Sequence, residues 1–272
     1  MPKAGRYHEG VPCWVALTVP DVQRAQRFYR ELFGWEFVPT GPAEWVATLY
    51  GAQVAGVAAA PEGRPAGWTT YLAVADAAHT AALVRVSGGR LAREPYEVPD
   101  LGRAALAVDP LGVTFGLWQG AAVAGAGLVN EPGTFTWNEH LSADPDAART
   151  FYRQVFGYTY DRPDGGYTVF RADGFPAGGI GPGGPGPNSP EPGPGPGPGP
   201  GPDSTDRPAT DWLTQFATAD ADRAAAHVRT LGGTVLTGPD PTPFGRSALV
   251  RDDSGAAFAL IAVPPDESAE AA

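Results

Sequence analysis

Reactive side chains are sparse in this sequence and form none of the common catalytic sets. There is one cysteine, Cys13, and there are four histidines, His8, His79, His140 and His227, scattered along 272 residues. A single cysteine leaves no intrachain disulfide and no cysteine-rich zinc site. No Ser-His-Asp set and no cysteine nucleophile arrangement can be picked out. The glycine-rich stretches are interrupted by proline and do not read as phosphate-cradling loops. The segment with most chemical interest is Trp137-Asn138-Glu139-His140-Leu141, which puts a carboxylate between an indole and a leucine. Alternate residues of a strand share a face, so Glu139 stands with Trp137 and Leu141, and His140 points the other way.

The elements that must position these residues repeat. At a constant offset of 123, Trp14 meets Trp137, Asp21 meets Asp144, Phe28-Tyr29-Arg30 meets Phe151-Tyr152-Arg153, and Phe33-Gly34 meets Phe156-Gly157. A second block pairs Asp76 with Asp220 at 144, then Gly102-Arg103 with Gly245-Arg246 and Gly112–Leu117 with Gly255–Leu260 at 143. The offset grows because of a Pro-Gly tract, 181–208, that only the second copy carries. A repeat in fixed order marks a duplicated module. The sequence therefore divides into module one (1–120), a linker (121–132) and module two (133–263), followed by a tail (264–272) expected to be disordered. The Pro-Gly tract reads as a solvated, polyproline-like spacer inside module two.

Each module opens with an alternating strand (14–19; 135–141). An aspartate, Asp21 or Asp144, then caps a helix by accepting from first-turn N–H groups. In the first helix Val22, Ala25, Phe28, Tyr29 and Leu32 fall on one face. Gly34 and Gly157 stop the helices. Short strands follow (45–50 and 53–58; 167–172 and 175–180). A second strand, a second capped helix (76–86; 220–231) and two more strands complete the module. Each module is thus two βα-plus-strands units, and the chain is α+β.

Charge narrows the partners. The formal net charge is −11, with 43% hydrophobic and 18% charged residues. An acidic surface repels phosphate backbones and anionic lipid, so neither nucleic acid nor membrane is expected as a partner. No apolar run approaches the ~20 residues that span a bilayer, and MPKAGRYHEG has no signal-peptide core. A cytoplasmic protein is expected, either a monomer whose modules pair within the chain or a homodimer.

The Phe28-Tyr29…Phe33-Gly34-Trp35 and Asp109-Pro110…Gly112 elements together resemble the vicinal-oxygen-chelate superfamily of glyoxalases, bleomycin-resistance proteins and dioxygenases. The start of module two, Trp137-Asn-Glu139-His140-Leu141, looks like a two-module actinobacterial branch with glyoxalase-like, hydroxylase-like and antibiotic-biosynthesis members. The resemblance implies tandem βαβββ modules forming a half-open mixed β-barrel cup, helices outside, that holds a small-molecule ligand. It also implies a metal, held at the start of each module's first strand and on its last strand. Those positions are Trp14, Trp137, Gly116 and Ala259 here. Neither an indole nor a bare backbone carbon donates to a hard divalent ion, so no metal and no other cofactor is expected.

If those positions face the cup, strand alternation supplies the remaining lining. It comprises Ala16 and Thr18 with Glu139 and Leu141, Thr69, Tyr71 and Ala73 with Leu213, Gln215 and Ala217, and Thr114 and Trp118 with Ala257 and Ile261. Trp14, Trp137 and Trp118 offer stacking surface for a flat ligand, with Thr18, Thr69 and Thr114 as polar contacts. Plugging of the cup floor by Trp14 and Trp137 is the alternative. Glu139 is the one carboxylate on that face. Burial without a cation raises a carboxylate's pKa, which suits a general acid or base. A structural hydrogen bond is its other reading. Tyr71 and Gln215 hold matching places and could polarise an oxygen. His140 is expected to be a satisfied core histidine, and Arg103 and Arg246 structural. The expected function is metal-independent proton transfer on a small aromatic or polyketide-like metabolite. Sequestration of a small molecule, or glyoxalase-like chemistry on methylglyoxal, are the alternatives.

Overall fold

The computed structural model describes residues 7–161, 166–183 and 211–262. Module one begins with β1 (Pro12–Val19), α1 (Val22–Phe33), β2 (Glu36–Gly41), β3 (Glu44–Leu49) and β4 (Ala52–Ala59). It continues with β5 (Gly67–Ala73), α2 (Ala77–Val86), β6 (Arg90–Val98), β7 (Gly102–Val108) and β8 (Thr114–Gly120). Module two repeats the order. Its first unit is β9 (Phe135–Ser142), α3 (Pro145–Phe156), β10 (Thr159–Tyr160), β11 (Thr168–Ala172) and β12 (Phe175–Pro182). Its second is β13 (Asp211–Ala217), α4 (Ala221–Thr230), β14 (Thr234–Thr242), β15 (Gly245–Arg251) and β16 (Ala257–Ala262).

Each module is one eight-stranded mixed sheet. The orders are β2-β3-β4-β1-β5-β8-β7-β6 and β10-β11-β12-β9-β13-β16-β15-β14. β1 and β5 are antiparallel neighbours at the centre, and each runs parallel to the last strand of its own unit. The second sheet repeats this with β9 and β13. This is the α+β tandem arrangement expected. The sequence reading omitted β2, whose interior Pro39 breaks the strand pattern, and the two-residue β10. The Pro-Gly tract starts inside β12, which ends at Pro182; residues 184–208 and the tail lie outside the described residues.

The caps work as their residue types require. Asp21, Asp144, Asp76 and Asp220 each accept from N–H groups of the following first turn. Gly34 and Gly157 end α1 and α3 in the left-handed conformation (φ 75° and 68°). Along β1, Val15, Leu17 and Val19 are buried while Trp14, Ala16 and Thr18 are half-exposed, so the alternation is a real division of faces.

The two main cores are each shared between the modules. One joins α1 and the buried face of β1 to Phe216, Ala225, Val228, Val250 and Phe258 of module two's second unit. The other joins Ala81, Val84, Phe115 and Leu117 of module one's second unit to Phe151, Tyr152, Tyr158 and Phe170 of α3 and its strands. At the centre, Thr70 and Thr214 hydroxyls both donate to Asn138 Oδ1, at 2.9 and 3.0 Å. Thr70, Asn138 and Thr214 lie on the helix-covered faces of their sheets. The modules therefore stand back to back, with the helices between them. Each module thus has its own concave face.

Candidate active site

Strand register builds the same row in both concave faces. In module one Trp14 pairs with Tyr71, and Tyr71 pairs with Gly116. In module two Trp137 pairs with Gln215, and Gln215 pairs with Ala259. The next row is Gly56, Ala16 and Thr69 in module one and Gly179, Glu139 and Leu213 in module two. The offsets of 123, 144 and 143 therefore mark spatial equivalence as well as sequence likeness. Glu139 takes the place of Ala16, and Gln215 that of Tyr71.

Cup two carries a polar network. Gln215 Nε2 donates to Glu139 Oε1 at 2.6 Å, and the Tyr167 hydroxyl donates to the same oxygen at 3.1 Å. Trp137 Nε1 in turn donates to the Tyr167 hydroxyl at 2.9 Å. Glu139 and Gln215 are both 8% exposed. Tyr167 lies over β12, where a side-chain carbon at Gly179 would overlap its hydroxyl and one at Gly181 would come within 2.7 Å of its ring. Only glycines leave room for that ring. Beside the network Leu141, Leu213, Leu249 and Ala259 form a small apolar cluster. Among the described residues, the result is a carboxylate that accepts from two donors beside an apolar cluster, with a phenol hydroxyl bridging it to an indole N–H. Such a carboxylate can take or return a proton on a ligand in the cup.

Cup one has aromatic surface and no counterpart of that carboxylate. Tyr71 lies flat on Gly116, which a methyl group would overlap, and Trp14 Nε1 sits over Gly56. Burial pushes the Tyr71 hydroxyl well above the ordinary phenol range. Trp118 is half-buried and donates from Nε1 to Val123 O at 2.9 Å, tying it to the linker. Thr18 and Thr69 are half-buried on this face, and Thr114 is exposed. Arg93 stacks over the Tyr96 ring at 3.4 Å from its centroid.

The sequence-derived site is thus split. Glu139, Gln215 and Trp137 come together in cup two. Tyr71, Trp14, Trp118, Thr18, Thr69 and Thr114 belong to cup one and cannot touch the same ligand. Tyr71 is no partner for Glu139; Tyr167 supplies the hydroxyl instead. Sequence comparison of the copies missed Tyr167 because its equivalent is Glu44. The alternate glycines Gly179 and Gly181 on one strand face were the available sign that a large ring must fit there.

The positions where a metal would sit do not fit one. An indole nitrogen carries a hydrogen and has no lone pair to give, and that of Trp137 is already donating to Tyr167. Gly116 is covered by the Tyr71 ring, and Ala259 is packed in the apolar cluster. Among the described residues no three His, Cys, Asp or Glu side chains converge as a metal set.

Another set of titratable residues lies on the convex side. The Tyr152 hydroxyl donates to Asp109 Oδ2 at 3.3 Å and accepts from Trp212 Nε1 at 2.8 Å. Its twin, Tyr29, donates to Asp252 Oδ2 at 3.0 Å and accepts from Trp68 Nε1 at 3.2 Å. Each aspartate also accepts from its own loop, Asp109 from Leu111 N and Val113 N, Asp252 from Ser254 N and Ala256 N. Both tyrosine–aspartate links cross between modules, so the Phe-Tyr motifs and the loops that begin at Asp109 and Asp252 are the joints of the back-to-back pair. Burial, reinforced by the adjacent aspartate, raises both phenols far above their usual range. His140 is buried as expected, with Nε2 2.8 Å from Asp109 Oδ2, but it is satisfied at one nitrogen only, since Nδ1 has no hydrogen-bond partner. His79 is exposed and His227 half-exposed on their helices; His8 pairs with Asp173 at 3.0 Å. Arg103 pairs with Glu97 and Arg246 with Asp222, both at the surface and away from the cups.

Two eight-stranded mixed sheets, each built from paired βαβββ units, define a known class. The chain belongs to the glyoxalase/bleomycin resistance protein/dioxygenase superfamily, whose model matches residues 13–117 and 139–260. It is 36% identical to "Putative glyoxylase CFP32" of Mycobacterium tuberculosis, over 98% of this chain and 100% of that one. It is 30% identical to the anthracycline biosynthesis protein DnrV of Streptomyces peucetius, over 94% of each. Among solved structures it resembles the Mn(II)-bound glyoxalase of Novosphingobium aromaticivorans, with TM-score 0.60 and 18% identity over 93% of this chain and 83% of that one. It also resembles the 2,3-dioxygenase LapB of Pseudomonas sp. KL28, with TM-score 0.62 and 14% identity over 96% of each. These two likenesses concern the fold. No helix among the described residues is long and apolar enough to cross a membrane.

Proposed function

We propose that cup two is the active site of a metal-independent enzyme in which Glu139 moves a proton on a small aromatic or polyketide-like metabolite, as in isomerisation, cyclisation, elimination or hydration. The observation that carries this reading is the Glu139 carboxylate, buried on the concave face and held by Gln215 Nε2 and the Tyr167 hydroxyl. A carboxylate kept from water and fixed in direction is equipped for general acid–base work. The Tyr167 hydroxyl and the Gln215 amide lie where they can also hold a ligand oxygen. Kinship with DnrV, an anthracycline biosynthesis protein, supports a polyketide tailoring role. The indoles, glycine and alanine at the superfamily's ligand positions support metal independence.

The test is turnover and solvent exchange on a panel of polycyclic aromatic ketones, with the protein treated by a chelator beforehand. Glu139→Gln should cut turnover by ~10²-fold or more and abolish deuterium uptake from D₂O at the reacting carbon. Unchanged turnover removes Glu139 from the mechanism. Activity that disappears on chelation and returns with a divalent metal removes metal independence and favours glyoxalase-like chemistry.

A second reading is sequestration of a toxic small molecule, favoured by cup one, whose concave face carries Trp14, Tyr71 and Trp118 but no carboxylate equivalent to Glu139. The net charge of −11 would draw a cationic ligand. Stoichiometric binding with the ligand recovered unchanged would favour it over the enzyme.

A further inference from the structure

We propose that Phe244 sets the substrate class of cup two by extending an aromatic wall from floor to mouth, selecting a planar fused-ring ligand over a small acyclic one. This rests on the reading that cup two is the working site. The wall begins at Trp137, whose indole donates to Tyr167, and continues through the Tyr167 ring. Phe244, at the tip of the β14–β15 hairpin, is 6.4 Å from Tyr167 between ring centroids, tilted by 46°. β11 and the β14–β15 hairpin belong to opposite halves of the sheet order. Their meeting through these two rings brings the hairpin tip beside the aromatic wall. Phe244 is nevertheless 55% exposed.

A single exposed phenylalanine is ordinary on a protein surface, so exposure alone assigns nothing. The hairpin supplies the rest. Pro239, Pro241 and Pro243 alternate up to the tip and restrict its backbone. The Thr242 hydroxyl donates to Gly245 O and accepts from Phe244 N, which fixes the turn. Phe244 is therefore presented on a stiff support. The twin hairpin of module one has Leu101 at this position, half-buried, with its carbonyl accepting from Ala121 N at 2.8 Å. There the linker ties the tip down. The repeat breaks at the rim as it breaks at the floor: Phe244 replaces Leu101 where Tyr167 replaces Glu44 and Glu139 replaces Ala16.

At 6.4 Å the two rings are in contact, within the ~4.5–7 Å range of aromatic pairs, so a ligand does not pass between them. It lies along the wall, with one end at Glu139 and the other covered by Phe244. A fused-ring ketone is long enough to reach both. A three-carbon acyclic oxoaldehyde would touch the floor alone.

The experiment measures binding of a hydroxyanthraquinone and of methylglyoxal to the full chain, by titration calorimetry. Phe244→Ala should weaken the anthraquinone about tenfold, the size of one lost aromatic pair, and leave methylglyoxal within twofold. Phe244→Tyr should retain anthraquinone binding, and Leu101→Ala should not change it. Equal anthraquinone affinity in wild type and Phe244→Ala overturns the assignment. So does a wild type that fails to bind the anthraquinone. Glu139→Gln separates this from the functional reading, because it should spare anthraquinone binding while removing turnover.

Discussion

Cup one and cup two share a sheet order, a register and an opening tryptophan, yet the buried, hydrogen-bonded Glu139 of cup two stands where cup one has Ala16. Where the two copies agree, at Phe28-Tyr29 with Phe151-Tyr152 and at Asp109 with Asp252, the residues sit on the convex side and lock the modules together. Where they differ, at Ala16 against Glu139 and Glu44 against Tyr167, the residues sit in the hollow. The opening tryptophans apart, agreement at these positions marks the joint between the modules, and disagreement falls in the hollows.

That contrast can be broken most severely at the carboxylate. Glu139→Gln should cost ~10²-fold in turnover, while the matched change in cup one, Tyr71→Phe, should leave turnover within twofold; equal losses would dissolve the distinction. Next comes the joint between modules. Asp252→Ala strands the Tyr29 hydroxyl and two loop N–H groups and should cost about 2–4 kcal/mol in denaturant unfolding. Asp109→Ala should cost about 1 kcal/mol more, because it also strands His140. Two equal midpoints would mean that the histidine adds nothing.

A smaller effect separates the joints by pH. Burial raises the Asp252 pKa above its ordinary value. A raised folded-state pKa means that the associated stability is complete below the unfolded value of about 4 and is lost as pH rises through the folded one. Asp252→Asn should therefore show a shallower fall in stability with pH over that window than wild type, and parallel curves would refute the shift. The smallest effect belongs to the surface. Arg103→Ala and Arg246→Ala should each leave the denaturation midpoint essentially unchanged despite their repeated positions, because exposed ion pairs contribute little.

Much of the architecture is legible from residue order. Alternation along β1 and β9 gives the faces, and the constant offsets align four strands per module correctly. The aspartate caps and glycine stops follow from local chemistry. What escapes is whatever depends on how sheets meet. Strand patterns place Trp14 and Trp137 on concave faces, but they carry no information on whether those faces join. Only the shared cores settle that Tyr71 and Glu139 face separate hollows. Likewise β2 hides behind Pro39 on an edge strand, where few neighbours enforce a pattern. Tyr167 escapes because it borders a strand at a position the first copy fills with glutamate.

The shared cores carry a further consequence. Phe216 and Phe258 of the last unit lie among the side chains of the first, and Phe151 and Tyr152 of the third among those of the second. Neither half of the polypeptide owns a complete interior, so a chain cut in the linker would yield two pieces with large wet apolar faces and no independent folding. The hollows contribute little to that interior. Their linings are therefore free to diverge, and a lineage could exchange one substrate for another there without disturbing what keeps the molecule folded.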